Sequence, residues 1–376
     1  MADNKDKKVL NVPALRFPEF SREWKRHKLS EICSFYSGGT PSSSKKEFYN
    51  GNIPFIRSGE LHKDKTELFI TEDGLNSSAA KLVEIGDLLL ALYGATSGDI
   101  AISKIKGAIN QAILCIRTKQ NKKFIESVWN KHVERLLQTY LQGGQGNLSA
   151  DIVKNIPFYF ADLEEQDKLA NFISLLDERI STQNKIIEDL KKLKSAISER
   201  LFNAIKGDVV VLEDIGDVVK GKQINGEFLS ESGKYYVMNG GIEPSGFYND
   251  YNVEANTISI SEGGNSCGYV QFNACPFWSG GHCYTIQNTT DNVKTEYLYQ
   301  FLKSKESEIM KLRIGSGLPN IQKKDLAKFK ITIPNISEQK VISAFLSSFE
   351  RKADVEMNFV NLLLEEKQYL LRQMFI

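Results

Sequence analysis

The sequence predicts an α+β chain that is internally duplicated: two globular domains joined by a long antiparallel two-helix coiled coil and related by pseudo-twofold symmetry. Three observations carry this. Two long segments repeat one heptad pattern at a fixed separation. The starts of the stretches before them match at a second separation. Each stretch mixes short apolar runs of strand length with one amphipathic helical segment.

The helical repeat is the stronger signal. A shift of 173 residues puts Gly144 on Gly317, Asn147 on Asn320, Leu148 on Ile321, Glu165-Gln166 on Glu338-Gln339, Phe172 on Phe345, Ser174 on Ser347 and Phe202 on Phe375. Leu169, Ile173, Leu176, Ile180, Gln183, Ile187, Leu190, Lys194, Ile197 and Leu201 follow one another at alternating steps of four and three, the spacing of a coiled-coil seam. The same shift gives Ile342, Leu346, Phe349, Ala353, Glu356, Val360, Leu363, Lys367, Leu370 and Met374, with polar interruptions at the same steps. A helix from about Glu164 to Ile205 is about 60 Å long at the α-helical rise. Each helix has one apolar stripe, and the other copy is its nearest available partner. Copies related by a pseudo-twofold axis place the two helices antiparallel. Gln183 and Glu356 then either meet at the centre and set the register, or each reaches out to water.

The starts of the globular parts match at a shift of 183, Leu29-Ser-Glu-Ile32 on Leu212-Glu-Asp-Ile215, so the first part is longer by a net 10 residues. Units this long indicate tandem domain duplication, not a solenoid of short repeats. Ile53–Ile56, Asp87–Leu92 and Ala112–Ile116 read as strands in the first copy, and Tyr235–Met238, Thr257–Ile260 and His282–Ile286 in the second. An amphipathic helix follows in each, about Lys123–Leu141 and about Thr295–Arg313, and then a glycine-rich loop, Gly143–Asn147 and Gly315–Asn320. Glycines also follow the strands near residues 92 and 260. The expected division is 1–160 for the first globular domain, 161–206 for the central helix, 207–333 for the second domain and 334–376 for the C-terminal helix.

The 376 residues are 41% hydrophobic and 25% charged, the composition of an ordinary globular protein. A net charge of +1 neither requires nor excludes nucleic acid, because a basic face can hide behind a balanced total. Met1–Lys8 is polar, and the longest apolar run, Leu88–Leu92, is too short to cross a bilayer. Five cysteines without close pairing fit a reducing cytoplasm.

Catalytic constellations are hard to find. Gly216–Gln223 nearly spells a phosphate-binding loop, but Gln223 stands where a magnesium-binding Ser or Thr belongs. Cys267, Cys275 and Cys283 lie eight residues apart, unlike the short chelating pairs of zinc sites, and read as buried strand cysteines. There is no nucleophile elbow, no His-Glu-x-x-His and no Asn-Pro-Pro-aromatic motif. Polar residues on the glycine-bearing loops are the better lead, since Asn and Gln can read adenine, and Arg and Lys guanine, by paired hydrogen bonds. In the first copy these are Arg57, Ser58, Tyr93, Ser97, Asn110, Gln111, Gln145 and Asn147. In the second they are Lys222, Asn239, Asn265, Ser266, Trp278, His282, Ser316 and Asn320. The plainer alternative is that they only form turns.

Leu15-Arg-Phe-Pro-Glu-Phe20 followed by Glu23-Trp24 resembles the opening of specificity subunits of type I restriction–modification enzymes. Ser37-Gly-Gly-Thr-Pro-Ser42 with Gly51-Asn-Ile-Pro-Phe55, Gly86-Asp-Leu-Leu-Leu90 and Leu163-Glu-Glu-Gln166 agree with it, and the resemblance spans the chain. Two departures stand out: Ala161-Asp162 occupies a place where the family often has prolines, and the second copy lacks the Gly-Gly-Thr-Pro loop. The resemblance implies two target recognition domains, each reading half of a bipartite, interrupted site on double-stranded DNA. It implies two modification subunits, adenine-N6 methyltransferases using S-adenosylmethionine, docked on the helices. It further implies two ATP-driven restriction subunits. S-adenosylmethionine, ATP and Mg would then belong to the partners, with no cofactor, metal or catalytic residue in this chain and no membrane. Two rival readings remain, a fused restriction enzyme with an unrecognised catalytic site and a coiled-coil assembly scaffold.

Overall fold

The computed structural model describes residues 10–140, 147–315, 317 and 319–376. It divides into two compact units, Met1–Gln183 with Phe359–Ile376, and Asn184–Asn358. The division cuts both long helices, Leu163–Ala204 and Ile336–Met374, near their middles.

The first unit is built on an antiparallel sheet in the order Cys33–Ser37, Ile113–Thr118, Leu88–Ala91, Ile100–Ile102. Side chains alternate across a strand. Leu88, Leu90 and Leu92 therefore share a core with Phe124, Val128 and Trp129 of the helix Lys122–Tyr140. Leu89 and Ala91 face the other way, into a core with Ile56, Val83 and Ile109. Both faces are covered, so the run Leu88–Leu92 has no polar alternation. The second sheet runs Phe69–Ile70, Tyr49–Ile56, Gly107–Ile109, Lys81–Val83, with its middle pair parallel. Lys25–Lys28 pairs with Pro157–Phe160, just before the first long helix.

The second unit repeats the plan. Its first sheet runs Asp217–Lys220, Cys283–Gln287, Thr257–Ser261, Val270–Asn273. Its second runs Phe247–Tyr248, Tyr235–Met238, Trp278–Ser279, again with a parallel pair. Asp208–Val211 pairs with Lys330–Ile333 before the second long helix. The place of Lys81–Val83 is held in the second copy by a single antiparallel bridge, Val253 to Phe277, with the two residues exchanging backbone bonds at 3.1 Å. Two expectations need correcting. The helix expected over Thr295–Arg313 is two helices, Thr295–Ser304 and Glu306–Met310, broken at Lys305, where Glu306 turns to accept the Val270 amide at 2.9 Å. Of the three cysteines read as buried strand residues only Cys283 is one: Cys267 is buried but lies on a turn, and Cys275 is exposed and outside any strand.

The helices pair antiparallel. In the first unit Leu169 and Ile173 pack with Leu370 and Met374; in the second Ile197 and Leu201 pack with Ile342 and Leu346. No residue of either seam is exposed. Lys367 binds Asp177 at 2.5 Å and Lys194 binds Glu350 at 2.7 Å. Each pair is the other moved by 173 residues with the helices exchanged, so the two units repeat one contact. Burial opposes charge on Asp177, but Lys123 and Lys367 outweigh it and hold its pKa below the usual carboxylate range. Gln183 is buried, and Glu356 is half-buried beside Lys352 one turn earlier.

The Glu-Gln signatures staple each helix to its domain. The Gln166 amide donates to Ala161 O at 2.8 Å and accepts from Asn121 N at 3.1 Å. Gln339 donates to Pro334 O at 2.9 Å and accepts from Lys294 N at 2.8 Å. Glu165 explains the opening motif. Arg16 Nε and Nη2 each donate to its carboxylate at 2.7 Å, and Trp24 Nε1 donates at 3.1 Å. Replacing Glu165, only 1% exposed, with alanine strands a guanidinium and an indole N–H. We expect Glu165→Ala to cost on the order of 3 kcal/mol, seen as an earlier urea-unfolding transition; an unchanged midpoint would remove this clasp from the stability account.

Candidate nucleic-acid interface

Four backbone hydrogen bonds gather the candidate loops at one edge of the first unit. Gly39 N donates to Ile109 O at 3.2 Å, Asn110 N to Ile56 O at 3.4 Å, Leu92 N to Ala112 O at 2.8 Å, and Leu148 N to Leu92 O at 2.9 Å. The second unit has the same set. Lys222 N donates to Ser279 O at 2.8 Å, Gly280 N to Met238 O at 2.8 Å, Glu262 N to His282 O at 2.9 Å, and Ile321 N to Glu262 O at 2.8 Å. The loop crossing this edge must come very close. A Cβ on Gly38 would lie 1.8 Å from Ile109 O, and one on Gly221 would lie 2.2 Å from Gly280 O. Only glycine fits either position, so Gly221 does in the second copy what Gly38 does in the first, although the rest of the Gly-Gly-Thr-Pro loop is missing there.

In the first unit Tyr93, Gln111 and Asn147 are exposed at this edge, while Arg57, Ser58, Ser97 and Asn110 are half-buried. Several are already engaged. Gln111 accepts from Thr40 Oγ1 at 2.5 Å, Asn110 Oδ1 from Ala112 N at 3.1 Å, and Ser97 Oγ donates to Leu92 O at 3.0 Å. Arg57 binds Glu60 at 3.1 Å and Glu67 at 3.0 Å. Burial opposes charge on Glu60, but hydrogen bonds from Arg57, Thr66 and the Glu67 amide prevail and hold its pKa at about 2. Ser58 opens the turn Ser58–Glu60. Gln145 lies outside the described residues.

In the second unit Lys222, Asn265 and His282 are exposed, and Asn239, Ser266, Trp278 and Asn320 are half-buried. Asn239 Oδ1 accepts from His282 N at 3.3 Å. Trp278 Nε1 donates to Lys222 O at 2.9 Å, and its ring meets Tyr248 edge-on at 5.2 Å, so it braces the Lys222 loop. Asn265 and Ser266 sit on the turn Gly264–Ser266, and Asn320 exchanges backbone bonds with Ile314 at 2.8 and 3.0 Å. Ser316 lies outside the described residues. Gly216–Gln223 runs as strand then loop, and the next element is the short turn Gly226–Phe228, not the helix a phosphate loop needs. Among the described residues no three His, Cys, Asp or Glu side chains are grouped to hold a metal ion.

The fold also brings Lys220 and Glu262 to this edge, two residues that are not among the polar candidates named from the sequence. The inner strands match at a shift of 170, shorter than both the 173 of the helices and the 183 of the domain starts, so neither of those shifts aligns Leu92 with Glu262.

A family model described as the type I restriction modification DNA specificity domain matches residues 21–192 and again 206–363. The chain belongs to this family. It carries the family's domain twice, as two target recognition domains, in agreement with the duplicated edge. A specificity subunit from Methanocaldococcus jannaschii, of the MjaVIII restriction enzyme, is 22% identical over 94% of this chain and 91% of its own length. A putative type I specificity subunit from Mycoplasma pneumoniae is 34% identical over 42% of each chain. The crystal structure of the type I system S subunit from M. genitalium superposes with a TM-score of 0.63 at 19% identity, covering 97% of this chain and 99% of that one. The fold of this specificity subunit is therefore the fold of its family.

Proposed function

We propose that each target recognition domain reads one half of a bipartite, interrupted DNA site through its loop edge. The chain thereby directs adenine-N6 methylation, or ATP-dependent restriction, by partner subunits. The observation that carries this is one backbone framework built twice and dressed with different side chains. Two copies of a scaffold with different reading groups suit a site with two unlike halves. In this reading the chain is not itself an enzyme. Two modification subunits and two restriction subunits join it in the cytoplasm, and S-adenosylmethionine, ATP and Mg are bound by them. Among the described residues no helix is long and apolar enough to cross a membrane.

Genome-wide mapping of methylated adenines in cells with and without the chain tests the reading. A bipartite motif present only with the chain is expected. Methylation by the purified chain alone would favour a fused enzyme, and failure to bind DNA even with modification subunits would favour a scaffold. A second expectation concerns the assembly. With part of the phosphate contacts supplied by the partner subunits, the isolated chain should bind DNA with Kd near the non-specific range, ~10⁻⁶ M or weaker at physiological salt. The assembled methyltransferase should bind far more tightly. Nanomolar, sequence-specific binding by the chain alone in a titration would contradict this.

A further inference from the structure

The two copies compare one site with and without charge. Leu92 and Glu262 occupy the same place, since each donates its amide to the matching strand and accepts the amide of Leu148 or Ile321. Ser37 pairs with Leu114 as Lys220 pairs with Tyr284, and Ala112 matches His282 through those same bonds. Four positions thus change together, from Ser37, Leu92, Ala112 and Leu114 to Lys220, Glu262, His282 and Tyr284. In the second copy they form a joined cluster. Glu262, buried at 7% exposure, binds Lys220 Nζ at 2.6 Å, accepts from Tyr284 Oη at 3.0 Å and faces His282 Nδ1 at 3.6 Å.

The fold does not need this cluster. Leu92 and Leu114 fill the same places in the first copy, each 1% exposed. An apolar filling is usually no less stable than a buried ion pair, which must repay the desolvation of both charges. The cluster also sits where reading groups converge. Lys220 ends its strand, next to the Gly221 crossing and the exposed Lys222, and its side chain is half exposed while Glu262 lies beneath it. A lysine offers hydrogen-bond donors only. The base edge that accepts two donors in the major groove is guanine, through O6 and N7.

We infer that Glu262 is a positioning residue that holds the Lys220 ammonium toward a guanine in the half-site read by the second domain. Tyr284 Oη, whose one proton is shared between Glu262 and Ile321 O at 3.1 Å, ties Glu262 to the backbone, and the exposed His282 lies beside it. The inference rests on the DNA-reading function proposed above, and the first arm of its test checks that function separately.

The test is methylome mapping with the complete set of subunits, comparing the parent with Lys220→Ser and Glu262→Leu, the residues the first copy uses. The parent must first methylate a bipartite motif; if it does not, the proposed function fails before this inference is reached. In Lys220→Ser, preference for guanine at one position of the second half-site should relax about tenfold or more, with the first half unchanged. Glu262→Leu should relax the same position, with a melting curve showing that the protein still folds. Should either single variant fail to fold, the double variant Lys220→Ser with Glu262→Leu, the pair the first copy holds, decides, because it leaves no buried charge unpaired. A second half-site without a G·C pair, an unchanged motif in Lys220→Ser, or weakening that is uniform over all sequences, as for a phosphate contact, would each overturn the inference.

Discussion

Exchanging residues 207–333 for the matching segment of a relative is expected to replace one half of the methylated motif and leave the other intact. The cut points favour a clean exchange. Asp208–Val211 and Lys330–Ile333 pair with each other, with Asp208 opposite Ile333, so the segment enters and leaves the domain side by side. Its loop edge is closed by bonds within the segment, from Lys222 to Ser279, Gly280 to Met238 and Ile321 to Glu262. A donor segment must restore its contacts with the long helices: Phe202 packs against Tyr297 at 5.9 Å and Phe301 at 5.3 Å, Lys294 N donates to Gln339 at 2.8 Å, and Gln300 donates to Glu350 at 2.9 Å. Methylome maps of the parent and the exchange decide the outcome. A change in both halves, or in neither, would show that the two domains do not read independently.

Adding one heptad to each long helix, after Asp189 and after Leu362, is expected to lengthen the gap between the half-sites by about three base pairs. The insertion keeps the alternation of four and three, so the seam stays in phase. Lys194 still meets Glu350 and Lys367 still meets Asp177, because each pair keeps its offset when both helices grow by the same amount. The helical rise makes the added length about 10.5 Å, against ~3.4 Å per base pair of DNA. Three base pairs also turn the DNA by roughly a third of its helical repeat, so methylation of the longer motif should be slower. Four residues added after Asp189 alone form a stutter that unwinds the seam locally, and methylation should be lost. Full activity of the paired insertion on the original motif would show that these helices do not set the spacing.

The parts of this protein legible in the sequence are those governed by local period. A coiled-coil seam writes itself as alternating steps of four and three, and a twofold pair writes the same steps twice. Leu169 to Leu201 and Ile342 to Met374 therefore predicted both helices and their partner, and the duplicated Glu-Gln marked where each begins. Strands buried on both faces, such as Leu88–Ala91, were recognisable as unbroken apolar runs. What the sequence could not reveal is which loops meet. Thr40 beside Gln111, Trp278 beneath Lys222 and Lys220 over Glu262 are brought together by sheet pairing between residues 42 to 71 positions apart. A loop's polar residues look alike whether they face a ligand, as the exposed Lys222 is free to do, or bind their own backbone, as Ser97 does. Only the tertiary structure separates them, because a hydrogen bond depends on distance and direction in space, while residue order records only neighbours along the chain.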